Sequence, residues 1–391
     1  MAAPGPARAT FSEFSPLFDA DGLRFDVSGM GGTQDSWGQE AAVTVLHEGF
    51  SLSLAEFTYD TDGFAPNNDL RHELFGARAT IAATPWLTLY GEYRNRRTEG
   101  RDLTLDFDGN ATPGFRQKFT REFGRFGAHA AIGPDTDLLG VMTIGELAAT
   151  NALSFPGYAL TNTVVDETAD GQVQFMHRRG NCVLTLGGAF ATTDFTTTSV
   201  EVVEAIPPFL PRTEDIRRTD RKATQGPLYA YLVTRAPRDV EWTFGLSLDT
   251  VDIEGSGGYS RTEASPKFGV RFALTDAITL RAAYTRTLKP RIVTDERLEP
   301  TSVAGFNQFF DAPNGTTVDR IYADKTFAKH WSLALEGRYE QSTSDFDFDL
   351  DSFSVASARA TLSYFDPAGW FVSGYVEPVW HDYEDDGDNG S

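Results

Sequence analysis

The stretch Trp86-Leu-Thr-Leu-Tyr-Gly-Glu-Tyr-Arg-Asn-Arg96 alternates along its whole length. Leu87, Leu89, Gly91 and Tyr93 share one face, with Thr88, Tyr90, Glu92, Arg94 and Arg96 on the other. Successive side chains of a strand point to opposite sides, so this segment reads as a strand with one apolar and one polar surface. The same rhythm returns downstream. Trp242, Phe244, Leu246 and Leu248 oppose Thr243, Gly245, Ser247 and Asp249. Phe268, Val270, Phe272 and Leu274 oppose Lys267, Gly269 and Arg271, and Ile278, Leu280, Ala282 and Tyr284 oppose Thr279, Arg281, Ala283 and Thr285. Near the end, Trp331, Leu333, Leu335, Gly337 and Tyr339 oppose Ser332, Glu336, Arg338 and Glu340.

A soluble β-sandwich alternates too, and two further features separate the cases. The apolar rows begin or end in an aromatic (Trp242, Phe268, Tyr284, Trp331, Tyr339), where a lipid-facing row crosses the headgroup level. Connections also alternate in length. Tight turns fall at residues 84–85, 133–135, 179–181, 237–239, 275–277, 329–330 and 366–369, and polar loops are expected around 60–72, 99–120, 151–168, 192–222, 252–262, 288–317 and 341–352. Short turns at one end and long loops at the other are the plan of outer-membrane barrels. The fold expected is all-β: a transmembrane antiparallel up-and-down barrel of about 16–18 strands. The stretch 137–150 could be read as a helix, but its place after a tight turn makes it a strand.

Composition agrees. No stretch approaches the roughly 18 continuous apolar residues of a spanning helix, and mean hydropathy is −0.31, as expected where each strand is only half apolar. The net charge of −22 over 391 residues makes nucleic acid a poor partner. The one cysteine, Cys182, excludes an internal disulfide framework and is expected to be buried toward lipid.

The expected division is a lead segment at 1–22, the barrel at 23–383 and an acidic tail at 384–391. Met1-Ala-Ala-Pro-Gly-Pro6 lacks the basic start and apolar stretch of a secretory leader, which implies a mature form or a piece of a longer chain. Counting Leu23–Met30 gives an odd number of strands, whereas single-chain bacterial barrels usually have even numbers. Either a closing strand lies outside the sequence or the first segment is not a strand.

Several stretches resemble TonB-dependent-receptor-like barrels that follow tetratricopeptide repeats in large Gram-negative outer-membrane proteins. They are Phe11-Ser-Glu-Phe-Ser-Pro-Leu-Phe18, Tyr59-Asp-Thr-Asp-Gly-Phe-Ala-Pro-Asn-Asn-Asp69, Gly91-Glu-Tyr-Arg-Asn-Arg-Arg-Thr-Glu99 and Leu298-Glu-Pro-Thr-Ser-Val-Ala-Gly-Phe-Asn-Gln-Phe-Phe-Asp311. The resemblance implies an outer-membrane location and a transport or export role. The chain shows no repeat domain, plug or energy-coupling box, so gated active import does not carry over.

Arg94, Arg96, Lys267, Arg271, Arg281, Glu336, Arg338 and Arg359 fall on polar strand faces and are the expected lumen lining. Rings of arginine and lysine select ions by sign, which points to an anion-favouring route. Against this stands the plainer reading, that Arg–Glu ladders fill and stiffen the wall. Phe306, Phe309 and Phe310 place three aromatics in one long loop, which either folds inward as a constriction or packs on its neighbours. The acidic clusters at 60–69, 102–108 and 345–351 are oxygen-rich enough for Ca²⁺ or Mg²⁺, but the run at 345–351 lacks the glycine and glutamate of an EF-hand loop, and solvated acidic loop is the plainer reading. Six scattered histidines and the absence of a Gly-x-Ser-x-Gly elbow give no metal site, cofactor site or catalytic set.

Two functions follow. One is a pore or export channel set in outer-membrane lipid and lipopolysaccharide. The other is an occluded scaffold barrel whose loops and N-terminal segment bind envelope proteins or a separate repeat domain.

Overall fold

The computed structural model describes residues 21–102, 112, 114–205, 211–237, 240–255, 258–275, 278–288, 298–308, 317–327, 331–343, 352–365 and 369–384. These form strands and connections, with no helix among them. In chain order the strands are β1 (Gly22–Gly31), β2 (Trp37–His47), β3 (Phe50–Thr61), β4 (Leu70–Thr84) and β5 (Leu87–Gly100). Then follow β6 (Arg116–Gly133), β7 (Thr136–Phe155), β8 (Tyr158–Arg179), β9 (Cys182–Val203) and β10 (Thr213–Arg235). After them come β11 (Val240–Glu254), β12 (Tyr259–Thr275), β13 (Ile278–Leu288), and a small hairpin of β14 (Ser302–Val303) and β15 (Phe306–Asn307). The last are β16 (Thr317–Phe327), β17 (Trp331–Thr343), β18 (Ser352–Phe365), β19 (Phe371–Val376) and β20 (Val379–Glu384).

Eighteen of these segments form one antiparallel sheet in which each strand pairs with its neighbour in sequence, β13 pairing across the small hairpin to β16. β19 and β20 both lie along β18 and are one strand interrupted at Glu377-Pro378, where proline has no N–H to donate. The sheet therefore has seventeen staves among the described residues. The first segment is a strand, which removes one explanation of the odd count. β1 pairs with β2 alone and β19/β20 with β18 alone, so the wall stands open between them. These two edges run in the same direction, so a direct ladder between them would be parallel, unlike every other pairing.

The two faces differ as the alternation requires. On β11, Phe244, Leu246 and Leu248 are 44–54% exposed, while Ser247 and Asp249 between and beside them are 1% and 3% exposed. Other protruding apolar residues follow the same parity, among them Phe126, Met142, Phe190 and Leu228. The polar face is the concave one. The segment 298–308 touches Tyr90 on β5 through Leu298 and lies against Arg281 on β13 through Phe306, and one short segment reaches both strands only if the sheet curves around it. Concave side chains also tie strand to strand. The Glu92 carboxylate takes the Arg94 guanidinium and the Tyr90 hydroxyl, and Arg125, 1% exposed, approaches it at 3.2 Å from β6.

The tight turns expected at 84–85, 133–135 and 179–181 stand where the sequence places them, and those at 237–239, 275–277, 329–330 and 366–369 lie wholly or partly outside the described residues. The β2–β3 turn is a two-residue reversal with positive φ at Glu48 and Gly49 (45° and 83°). Two expectations are corrected. The loop expected over 151–168 is strand except at residues 156–157, and most of that expected over 192–222 is strand, with a connection at 204–212. Thr192-Thr-Asp-Phe-Thr-Thr-Thr-Ser-Val-Glu-Val-Val203 is β-branched but carries no apolar row, so it favours strand without showing a buried face. At about 3.4 Å per residue, the 22-residue β8 and β9 reach roughly 70 Å, against about 30 Å of hydrocarbon, so these hairpins stand well clear of a bilayer. Cys182, beside the β8–β9 turn, has the convex parity of Leu186 and Phe190 and is exposed as they are, its Sγ 3.3 Å from Thr234 Oγ1.

Two outcomes test this wall, each read by urea unfolding in phospholipid vesicles. Leu246→Arg puts a charge on the convex face near mid-strand and should cost about 2–4 kcal/mol, and an unchanged midpoint would contradict the assignment of faces. Glu92→Ala removes a carboxylate that two guanidiniums face and should cost about 3–5 kcal/mol, against near-neutrality if the cluster only decorates the wall.

Candidate functional site

The concave face carries the charged residues that the alternation singles out. Arg94 pairs with Glu92, and Arg96 lies over the Phe119 ring at 5.5 Å. Arg271 and Arg281 are direct partners across the β12–β13 ladder. Two guanidiniums held side by side raise the local positive potential, but the next register partners, Glu241 opposite Arg271 and Asp324 opposite Arg281, are acidic, and Arg281 stacks on Phe306, 4.7 Å from the ring centre. Glu336 stands opposite Arg359, whose guanidinium also meets Glu377 at 2.6 Å from the last strand. Arg338 lies half-buried opposite Ser357. Lys267 differs from the rest. It is 3% exposed, donating to Ser247 Oγ at 2.6 Å and the Ser265 carbonyl at 3.1 Å, with Glu299 at 3.7 Å.

Segment 298–308 is the dominant feature of this face. It belongs to the connection that leaves β13 at Leu288, yet it lies against Arg281, seven residues back along that strand. At about 3.4 Å per residue the chain has descended roughly 24 Å into the concavity. Leu298 packs with Tyr90, Leu139 and Val141, and its peptide is bracketed by two wall glutamines. Its N–H donates to Gln172 Oε1 at 2.6 Å, and Gln174 Nε2 donates to its carbonyl. The Tyr231 hydroxyl donates to Glu299 Oε1 at 2.6 Å, and Gln308 Nε2 donates to that hydroxyl at 2.9 Å. Val303, Ala304 and Phe306 complete an apolar cluster with Tyr229, Tyr231 and Ala283.

Wall and segment are shaped to each other. A Cβ on Gly269 would come within 2.7 Å of Val303 Cγ1 and 2.9 Å of Ala304 Cβ, so only glycine leaves room for the hairpin. Gly305, at φ 88°, makes the turn beneath Arg281, where a Cβ would approach Nη1 at 2.5 Å.

Of the loop aromatics, Phe306 is buried in this cluster, while Phe309 and Phe310 lie outside the described residues. The acidic run at 345–351 also lies outside them, as does most of the one at 102–108. There Asp102 accepts the Thr112 N–H at 2.6 Å. No group of three His, Cys, Asp or Glu side chains suited to a metal ion occurs among the described residues. Sequence reasoning missed Glu299, Gln172, Gln174, Tyr231 and Gln308. Parity alone puts the glutamines and the tyrosine on the polar face. Nothing local marks Glu299 as reaching Tyr231 on a strand 68 residues away.

Comparison with known proteins follows this geometry. The family described as TonB dependent receptor-like, beta-barrel matches residues 36–322, well over half of the chain. No curated protein sequence matches it. Among solved structures, the chain is similar to the copper transporter OprC (TM-score 0.74, 11% identity, 93% of this chain and 61% of that one). It is also similar to the ferric yersiniabactin uptake receptor FyuA from Yersinia pestis (0.71, 10%, 95% and 62%). A third similar structure is the ferric citrate transporter FecA (0.69, 11%, 94% and 60%). The chain spans about three-fifths of the length of these receptors. By its seventeen-stave antiparallel wall and the extent of the family match, the chain belongs to the TonB-dependent-receptor-like β-barrel family, whose members are outer-membrane proteins.

Proposed function

We propose that this chain forms the wall of a passage for solutes across the outer membrane, with the polar concave face as the route. One observation carries the reading: the sheet turns its apolar row outward and its charged row inward along the same strands, as at Leu246 and Ser247. The solute reading is anion-favouring, since Arg94, Arg96, Arg271, Arg281, Arg338 and Arg359 share the concave face and rings of guanidinium select by sign. Lipid and lipopolysaccharide are the proposed surroundings of the convex face. The family context makes an adjoining repeat domain a proposed partner, and no catalytic role is proposed.

A second reading is favoured by segment 298–308, which fills part of the concavity. In it the barrel is an occluded scaffold whose long β7–β8 and β9–β10 hairpins present a binding surface.

Planar-bilayer recordings on the purified chain separate the two. The passage reading predicts discrete conductance with a reversal potential favouring anions, displaced toward zero in the Arg271→Gln/Arg281→Gln double variant. Folded, heat-modifiable protein that never conducts, even with residues 298–308 replaced by a glycine–serine linker, would favour the scaffold.

A further inference from the structure

We propose that residues 298–308 are a built-in latch that closes the concave route, pinned shut by Glu299 on Lys267 and Tyr231. The inference rests on the passage reading and adds to it a mechanism of closure.

How the segment is attached is the first argument. A barrel stave is held by a ladder of backbone hydrogen bonds along its length. Segment 298–308 has no such ladder with the sheet among the described residues. Its own ladder is the two-pair hairpin Ser302–Asn307 and Val303–Phe306, separate from the barrel sheet. What binds it to the wall is side chains: Gln172 and Gln174 on the Leu298 peptide, Tyr231 and Lys267 on Glu299, and the cluster around Phe306. It can therefore leave as a unit with every stave-to-stave hydrogen bond intact.

The second argument is how the pin balances. Glu299 and Lys267 are both almost wholly buried, their side chains 2% and 0% exposed. A buried ion pair gains in Coulomb attraction roughly what it loses in hydration, so its net hold is small. Removing one partner is costly by contrast, because the other charge stays buried. Such a contact fixes one seated position without making departure prohibitive, since both charges regain water when the segment lifts.

The third argument is fit. The space above Gly269 is filled by Val303 and Ala304, and the left-handed turn at Gly305 brings Phe306 under Arg281. The seat is thus built into both surfaces and lies across the inward face of β5 to β13, where a solute would pass.

The test uses the full chain in planar bilayers. The latch predicts that Gly269→Leu, whose side chain would occupy the place of Val303 and Ala304, folds into a heat-modifiable barrel and conducts more than the parent chain. It also predicts that Glu299→Ala, which leaves Lys267 buried in the seat without its counter-charge, raises the ratio of open to closed by about a hundredfold or more. Unchanged conductance in folded, heat-modifiable Gly269→Leu would overturn the seat. Conductance unaffected by either substitution, while the linker-replaced chain conducts, would overturn the latch and leave the passage standing. If the linker-replaced chain is silent as well, the passage reading fails, and the latch with it.

Discussion

A backbone amide that enters hydrocarbon has no water to bond, so every peptide group there must find a partner within the protein. That constraint explains why this chain makes one long antiparallel meander and why its strands interlock only with sequence neighbours. It also explains how the prolines are tolerated. Pro227 sits within β10, and the ladder to β9 omits residues 226 and 227 and then resumes in the same register. Pro266 sits in β12 just beyond the point where the ladder to β13 stops at Lys267. In both places the missing N–H falls where the ladder on that side is interrupted or has ended.

Once the backbone is satisfied, the side chains are free to sort by face. The convex row becomes apolar because it meets lipid, and the concave row gathers charge because it does not. The concave charges are held in small groups: Glu92 between Arg94 and Arg125, Arg359 with Glu377, and Lys267 with Glu299. Each group joins different strands or joins the wall to segment 298–308, so the polar face contributes to holding the curved sheet as well as lining it. The cross-strand pair Arg271–Arg281 places two like charges side by side, with carboxylate residues at the next register positions, Glu241 opposite Arg271 and Asp324 opposite Arg281, and the Phe306 ring against Arg281.

Much of the fold was legible in the sequence because period two survives wherever one face meets lipid. Trp86–Arg96 and Trp242–Asp249 announce their strands and their faces, and the tight turns announce where strands end. The signal fails where both faces are wet. Residues 158–168 and 192–203 extend β8 and β9 beyond the apolar band with threonine and valine on both sides, so pattern reading takes them for loop. The site was legible only in its chemistry. Parity places Arg281 and Lys267 on the polar face, but not that one stacks on Phe306 while the other is sealed beneath Glu299. Those contacts join residues far apart in sequence, and only the curvature of the whole wall brings them together. Phe306 was noticed as one of three loop aromatics, whereas Glu299, which reaches Tyr231 and Lys267, looks like any loop carboxylate.

The central claim is that one sheet carries a lipid face and a polar inner face on alternate residues. Single cysteines from 242 to 249 in the Cys182→Ser background, spin-labelled in phospholipid vesicles, test it most directly. Collision with lipid-soluble oxygen against a water-soluble nickel chelate should alternate with period two. Oxygen should be favoured at 244, 246 and 248, and disfavoured at 243, 245 and 247. Labels equally open to the nickel chelate at all eight positions would contradict the account.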